Sequence, residues 1–371
     1  MKKTSSERVA RKAKHDLNRV RKKFIRKLIR SGKLKRYAPG FRNALVVSAP
    51  KRMSLDENYE ETISFFNKIK KLGQVLAADF RRNKRGRVRP FQISLAEVEH
   101  LSVRSAVILS AELDRLRRVI GAKLKYTGRE SKSEDVTSIL SELGCFSLVS
   151  ADHPETSGIH TKSRKTLIKM LCGSRLEESK FSEFDDALRM IFSEYHSLPR
   201  LYEGMSEALL NVRHHAYLDE VKLLYASPGK RWWATACIDN EQDELRIFVY
   251  DQGVGIPATL PYTGYREWFS SLLTGAAHGQ TGDDATLLKG ALEYSRSRTE
   301  QAGRGKGFKN IMSAIDTYQT GRLRVVSGRA EVTYSGRGVI VSQRHDQHVG
   351  GTLIEWTLPT RLFEKSKETD R

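Results

Sequence analysis

Apolar residues recur along this chain at more than one period, and the changes of period mark its organisation. In residues 1–40, Val9, Ala13, Leu17, Val20, Phe24 and Leu28 return at helical spacing among lysines and arginines. This predicts one cationic amphipathic helix, capped at Ser5 or Ser6, ended by Gly32 and followed by a turn near 37–40. From 41 to 151 strand and helix patterns alternate. "NALVVSA" (43–49) predicts a strand, "YEETISFFNKIKKL" (59–72) an amphipathic helix and "PFQISLAEV" another strand. "RSAVILSAELDRLRRVI" then predicts a helix, "AKLKYTG" a strand, and "SEDVTSILSELGC" a short helix ended by Gly144, after which comes "FSLVSA". Residues 152–165 are polar and contain Pro, Gly and Ser, the composition of a linker. Beyond it "KTLIKMLC" predicts a strand, and 181–195 a helix with Phe184, Leu188, Ile191 and Phe192 on one face. This last unit runs over 166–362, ahead of a polar tail at 363–371. The alternation over 41–151 implies an open α/β sheet.

A chain of 371 residues with 39% apolar content can build two domains with real cores. It holds no run of about eighteen uncharged apolar residues, so no bilayer span is expected. It also opens without an apolar export signal, which fits a cytoplasmic protein. Cys145, Cys172 and Cys237 stand far apart with no CxxC pair, against zinc or a disulfide framework and in favour of a reducing compartment. The net charge of +21 is uneven. Residues 1–42 carry 17 Lys and Arg against Glu7 and Asp16, a balance of +15, and the remainder only +6. So basic an arm needs an anionic or apolar partner: a nucleic-acid backbone, an acidic protein or a membrane surface. The narrow apolar stripe, lacking Trp, disfavours the membrane. A second basic run at Arg81–Arg89, either a solvated loop or an extension of this surface, tilts the choice towards nucleic acid.

Candidate chemistry begins at "EALLNVRHHAY" (207–217). Glu207, Asn211 and His215 fall four apart and share one helical face, with Leu209, Leu210 and Val212 opposite. Alone, such a row is a solvated helix edge. Downstream, "RIFVYDQGVGIP" runs a strand into Asp251, Gly253, Gly255 and Ile256, where a carboxylate can accept from a buried amine and glycines admit a flat ligand. "GRGKGFKNIMSAI" opens a helix with Gly303, Gly305 and Gly307, an anion site reinforced by Arg304, Lys306 and Lys309. "GGTLIEWTLP" starts a late strand at Gly351 and Thr352. Each glycine group by itself is an ordinary turn or helix cap. Four such stretches in this order, each at an element boundary, make coincidence a poor account. His345 and His348 form HxxH without further ligands, which reads as a solvated pair. His100 and His196 lack the acidic neighbour of a phosphoacceptor histidine and read as structural or surface residues.

On these residues 166–360 resembles the GHKL ATP-binding superfamily of gyrase, heat-shock chaperones, histidine kinases and mismatch-repair proteins. Its first motif, Glu-x-x-x-Asn-x-x-x-His, is met by Glu207, Asn211 and His215. Its second, Asp-x-Gly-x-Gly-Ile, is met by Asp251, Gly253, Gly255 and Ile256. Its glycine-rich third motif is met by Gly303, Gly305 and Gly307, and its late Gly-Thr by Gly351 and Thr352. The resemblance implies a Bergerat-type α/β sandwich, a mixed sheet with helices on one face, and ATP under a lid between Pro257 and Gly303. It implies that Asn211 supplies an oxygen to Mg²⁺, with Glu207 reaching the metal through water and orienting or deprotonating the attacking water or hydroxyl. Asp251 would accept from the adenine amino group, and His215 would lie near the phosphates or brace the helix. The preceding region, from about 90 to 151, is similar to the STAS domain of anti-sigma-factor antagonists. There an Asp-Ser pair opens a helix and the serine accepts phosphate; the aligned positions here are Ser102 and Val103, with Ser105 nearby. Together these imply a Mg·ATP-dependent ATPase that acts as a regulatory switch. Its basic arm would engage nucleic acid or a nucleic-acid-bound protein, and a homodimer is implied because relatives pair their ATP domains. A Ser/Thr kinase of the partner-switching type and a nucleic-acid-binding scaffold with a structural ATP fold stand as the alternatives.

Overall fold

The computed structural model describes residues 34–35, 45–82, 91–120, 131–148, 165–174, 178–191, 199–263, 265–266, 269–270, 282–297 and 307–363. The predicted arm helix lies outside them, as do the "AKLKYTG" strand, the linker up to 164, the basic run from 83 onwards, Gly303–Lys306 and the tail from 364. The chain is a mixed α/β protein dominated by one large antiparallel sheet.

The N-terminal segment begins with β1 (Leu34–Lys35), β2 (Leu45–Ser48), β3 (Arg52–Met53) and α1 (Tyr59–Arg82). β4 (Phe91–Ser94), β5 (His100–Leu101), α2 (Val103–Ile120), α3 (Glu134–Glu142) and α4 (Cys145–Leu148) follow. β2 pairs antiparallel with β1 and parallel with β4, while β3 and β5 form a separate parallel pair. Glu60 and Glu61 in the first turn of α1 suit the positive end of its dipole. The run "PFQISLAEV" is strand only as far as Ser94. Leu95 and Val98 are buried in a turn closed by Val98 N–H to Leu95 O at 2.9 Å, so apolar character there serves packing and not pleating. After Gly144, held at φ +71°, the chain turns helical again in α4.

The second segment runs β6 (Lys165–Leu167), β7 (Leu171–Gly173), α5 (Glu178–Ile191) and α6 (Pro199–Asn211), then a π-turn at Val212–Ala216. "KTLIKMLC" is thus two short strands, bent apart where Ile168 N–H bonds Ala236 O and Met170 N–H bonds Leu143 O. The order continues β8 (Trp232–Asp239), β9 (Glu244–Asp251), α7 (Ile256–Thr259), α8 (Asp284–Ser297), α9 (Gly307–Tyr318) and β10 (Arg322–Ser327). β11 (Ala330–Tyr334), β12 (Ile340–Arg344) and β13 (Thr352–Pro359) complete it. In the sheet the strands lie β12-β11-β10-β13-β9-β8-β6, with β7 also on β8, every pairing antiparallel.

Central strands β8, β9 and β13 are buried at almost every position because both sheet faces are covered. Trp232, Ala234, Ile247, Val249, Ile354 and Trp356 face a core made with α6, α8 and α9. Their alternates, Trp233, Cys237, Phe248, Tyr250 and Leu353, face a core made with Phe66 and Ile69 of α1 and Leu109 and Leu113 of α2. The expected single helical layer is therefore two, and the N-terminal segment supplies the second. Trp356 Nε1 donates to Ile311 O at 2.8 Å and fastens β13 to α9. Trp356→Phe should accordingly cost about 2–3 kcal/mol, read as a lower urea midpoint at unchanged m-value, since it removes both a buried bond and ring volume.

Charged groups bolt the N-terminal helices to the sheet. Arg104, 3% exposed, meets Glu355 at 2.8 Å, Asp56 at 3.3 Å and Glu331 at 3.5 Å. The HxxH pair belongs to the same contact, with His345 buried and His348 half-buried, in place of the expected solvated pair. His345 is buried and stacks on Tyr59 of α1 with ring centroids 3.4 Å apart, and its burial holds the imidazole pKa below the usual histidine range. His348 Nδ1 accepts from Gly350 N–H at 2.9 Å. Among the described residues no helix is long and apolar enough to cross a membrane.

Candidate functional site

A cavity of about 750 Å³ opens between α6, the end of β9, α7 and the start of α9, within the ~300–1,000 Å³ typical of small-molecule sites. Glu207, Asn211, His215, Asp251, Gly255, Ile256, Gly307 and Thr352 all line it, from four stretches that the sequence separates by as much as 145 positions. Gly253 and Lys309 do not: Lys309 is exposed on α9, and Gly253 lies behind the wall.

The polar row is carried by two kinds of helix. Glu207 and Asn211 stand one α-turn apart on α6; the chain then widens into the π-turn, a rare geometry often found at functional sites. This turn keeps His215 on the cavity wall and brings Ala216 O against the β9 loop, where Val254 N–H bonds it at 2.8 Å. A Cβ on Gly253 would lie 2.6 Å from the Ala216 carbonyl carbon. The close approach that this glycine permits is therefore between two segments of the chain, not between chain and ligand. Gly255 sits at φ +88°, where an L side chain is strained, and Ile256 N–H donates to Ser327 Oγ at 2.8 Å. Gly307 is pressed against the row: its Cβ would meet Glu207 Oε1 at 2.9 Å and Asn211 Nδ2 at 3.3 Å.

Electrostatics divide the cavity. Asp251, paired in register with Trp232 and Thr352, is buried, and loss of hydration pushes its carboxyl up to about 7. Backbone N–H groups of Gly253, at 2.7 Å, and Thr352 donate to it and partly offset that rise. Glu207 is half-buried, and desolvation raises its carboxyl above the ordinary range against a hydrogen bond from Asn310 and the charge of His214. Burial lowers His215, with the neighbouring His214 acting the same way. At neutral pH the cavity thus pairs an isolated acid at one wall with an acid, an amide and a neutral imidazole at another.

Several contributing residues carry no sequence signal. Tyr217 accepts Gln252 N–H at 3.1 Å and donates to Arg231 O at 2.6 Å, which fixes the strand end beside Asp251. Ser327 joins Ile256 N–H to Thr352 Oγ1, the latter at 3.0 Å. Asn310, three residues into α9, was legible only as a polar residue one turn beyond Gly307. Tyr262 and Arg266 line the mouth.

Among the described residues no group of three or more His, Cys, Asp or Glu could hold a metal by itself. Asn211 and Glu207 offer oxygen, which suits Mg²⁺, a hard cation that keeps waters and takes further ligands from phosphate. They do not suit a metal that needs a complete protein cage. The chain matches no family model and no curated protein.

Proposed function

We propose that this cavity binds Mg²⁺·ATP, that 166–362 is a GHKL-type ATP-binding unit, and that the chain is a nucleotide-dependent ATPase switch. One observation carries the reading: residues picked out by motif spacing in four distant stretches line a single cavity of nucleotide size. Asp251 accepts from the exocyclic amine of adenine, and guanine, with an oxygen at that position, is rejected. The first N–H groups of α9 face the phosphates. Asn211, with Glu207 through water, holds Mg²⁺, which when bound neutralises phosphate charge. Glu207, raised by burial, takes a proton from the attacking water. Residues 1–40 and Arg81–Arg89 supply the surface for nucleic acid or a nucleic-acid-bound protein.

Hydrolysis is favoured over phosphorylation of the chain itself. Ser102 and Ser105, which flank the STAS acceptor position, bond each other at 3.0 Å, and Ser105 is fully buried. Isothermal titration of the full chain tests the reading: Mg·ATP should bind and Mg·GTP should not, and absence of ATP heat ends it. Labelled ATP then separates free phosphate, expected here, from phosphate on a second protein.

The shifted Asp251 predicts a pH dependence. Its carboxyl titrates near 7 in the folded chain against 3.8 ordinarily, so ionising it costs stability as pH climbs through that window. A ligand that donates to the carboxylate favours its ionised form, so ATP affinity should rise about tenfold from pH 6 to pH 8. Asp251→Asn should bind more weakly and flatten that profile. A flat wild-type profile would remove Asp251 as the acceptor.

A further inference from the structure

Behind the Asp251 wall lies a group of buried charges that the ATP reading leaves unused. Glu112 of α2, Lys70 of α1 and Arg115 are 0%, 1% and 3% exposed. Glu112 Oε1 accepts from Gln252 Nε2 at 2.8 Å and stands 3.4 Å from Lys70 Nζ, while Glu112 Oε2 takes Arg115 Nε at 2.8 Å. Lys70 Nζ donates to Val349 O, and Arg115 Nη1 to Ala226 O at 3.2 Å. Gln252 directly follows Asp251; Val349 precedes the Gly350–Gly351 turn that delivers Thr352. That turn packs tightly here: Gly350, at φ +82°, leaves room for Lys70 Nζ only because it has no Cβ, and Gly351 lies against the backbone of Asp251 and Gln252.

Stability does not account for the arrangement. Leucine or methionine would fill the same space without stripping water from three ions, and buried ion pairs commonly fail to repay that cost. What charges and amides add is direction: Glu112 reaches the segment of Asp251 through Gln252 and Lys70 reaches the segment of Thr352 through Val349, while Arg115 ties α2 to Ala226. We infer that Glu112 and Lys70 are positioning residues for the cavity, Glu112 through Gln252 and Lys70 through Val349. Ligand in the cavity and the docking of α1 and α2 are thereby coupled, each favouring the other. Its ligand-linked half rests on the ATP reading; the positioning itself does not.

Glu112→Ala would leave two buried cations unpaired and is a poor probe. Gln252→Met keeps the volume and every ion pair but cuts the tie from Glu112, and Lys70→Met cuts the tie to Val349. Hydrogen exchange on the ligand-free full chain should quicken about tenfold at 251–254 in the first variant and at 349–352 in the second. Mg·ATP should bind about tenfold more weakly to each and, in the wild type only, should slow exchange in α1 near 70 and α2 near 112. Unchanged exchange at those two segments, or a uniform rise throughout the sheet as from general destabilisation, would overturn the proposal. Quickened, segment-specific exchange in a wild-type background that binds no ATP would support positioning while removing the nucleotide reading.

Discussion

Gly253→Ala should leave most of the chain unable to reach its native state, with a loss above about 4 kcal/mol and little soluble protein. An added Cβ would sit 2.6 Å from the carbonyl carbon of Ala216 and 2.7 Å from its Cβ, inside the 3.0 Å that real Cβ atoms essentially never cross. No flexible side-chain tip can step aside, because the obstacle is the π-turn backbone. Moving that backbone would break the bond from Val254 N–H to Ala216 O and drag His215 and Asn211 with it. Gly282→Ala is the control: there the nearest atom is Thr286 Cγ2 at 3.4 Å, ordinary contact, and the change should stay within about 0.5 kcal/mol. Urea unfolding of both variants decides it. A Gly253→Ala midpoint close to wild type would show that the π-turn yields, and would return this glycine to a ligand-facing role.

The case of Gly253 shows what was legible and what was not. A glycine two places after a strand-ending aspartate reads as room for something flat; only coordinates reveal that the something is Ala216. Glu207, Asn211 and Asp251 were readable because they are polar groups at helical or strand-end positions where packing alone would not place them. The π-turn was not, since "VRHHA" has no composition that tells an i→i+5 turn from an i→i+4 one. The second helical layer did leave a trace. "WWATACID" and "TLIEWTLP" run nearly without polar alternation, as strands covered on both faces must. What hid it was the chemistry of the contact. Arg104, Lys70, Glu112 and His345 are residue types that usually mark solvated faces, and here they are buried against Glu355, Val349, Gln252 and Tyr59, each at least 140 positions away. Pairings at such separation have no local periodicity to betray them.

Asn211→Ala should abolish the magnesium dependence of ATP binding. In the wild type, affinity should fall about 100-fold when Mg²⁺ is chelated, because phosphates crowded against Glu207 then meet uncompensated charge. The amide of Asn211 is the one neutral oxygen donor in the row, and at Glu207 Oε1 and Asn211 Nδ2 the two side chains converge on the same face of Gly307. Removing it would take away the proposed metal ligand without unpacking a core, for Asn211 is only half-buried at the end of α6. Stability should therefore hold to within about 1 kcal/mol while the metal-dependent gain disappears. Asn211→Asp restores an oxygen but adds a charge beside Glu207, so it should bind Mg²⁺ more tightly and ATP alone more weakly. That opposition separates a metal ligand from a helix brace, since a brace would lose or keep both together. An alanine variant that still binds ATP more tightly with Mg²⁺ than without it would mean that the cation is held elsewhere, and Glu207 would lose the water it is proposed to share.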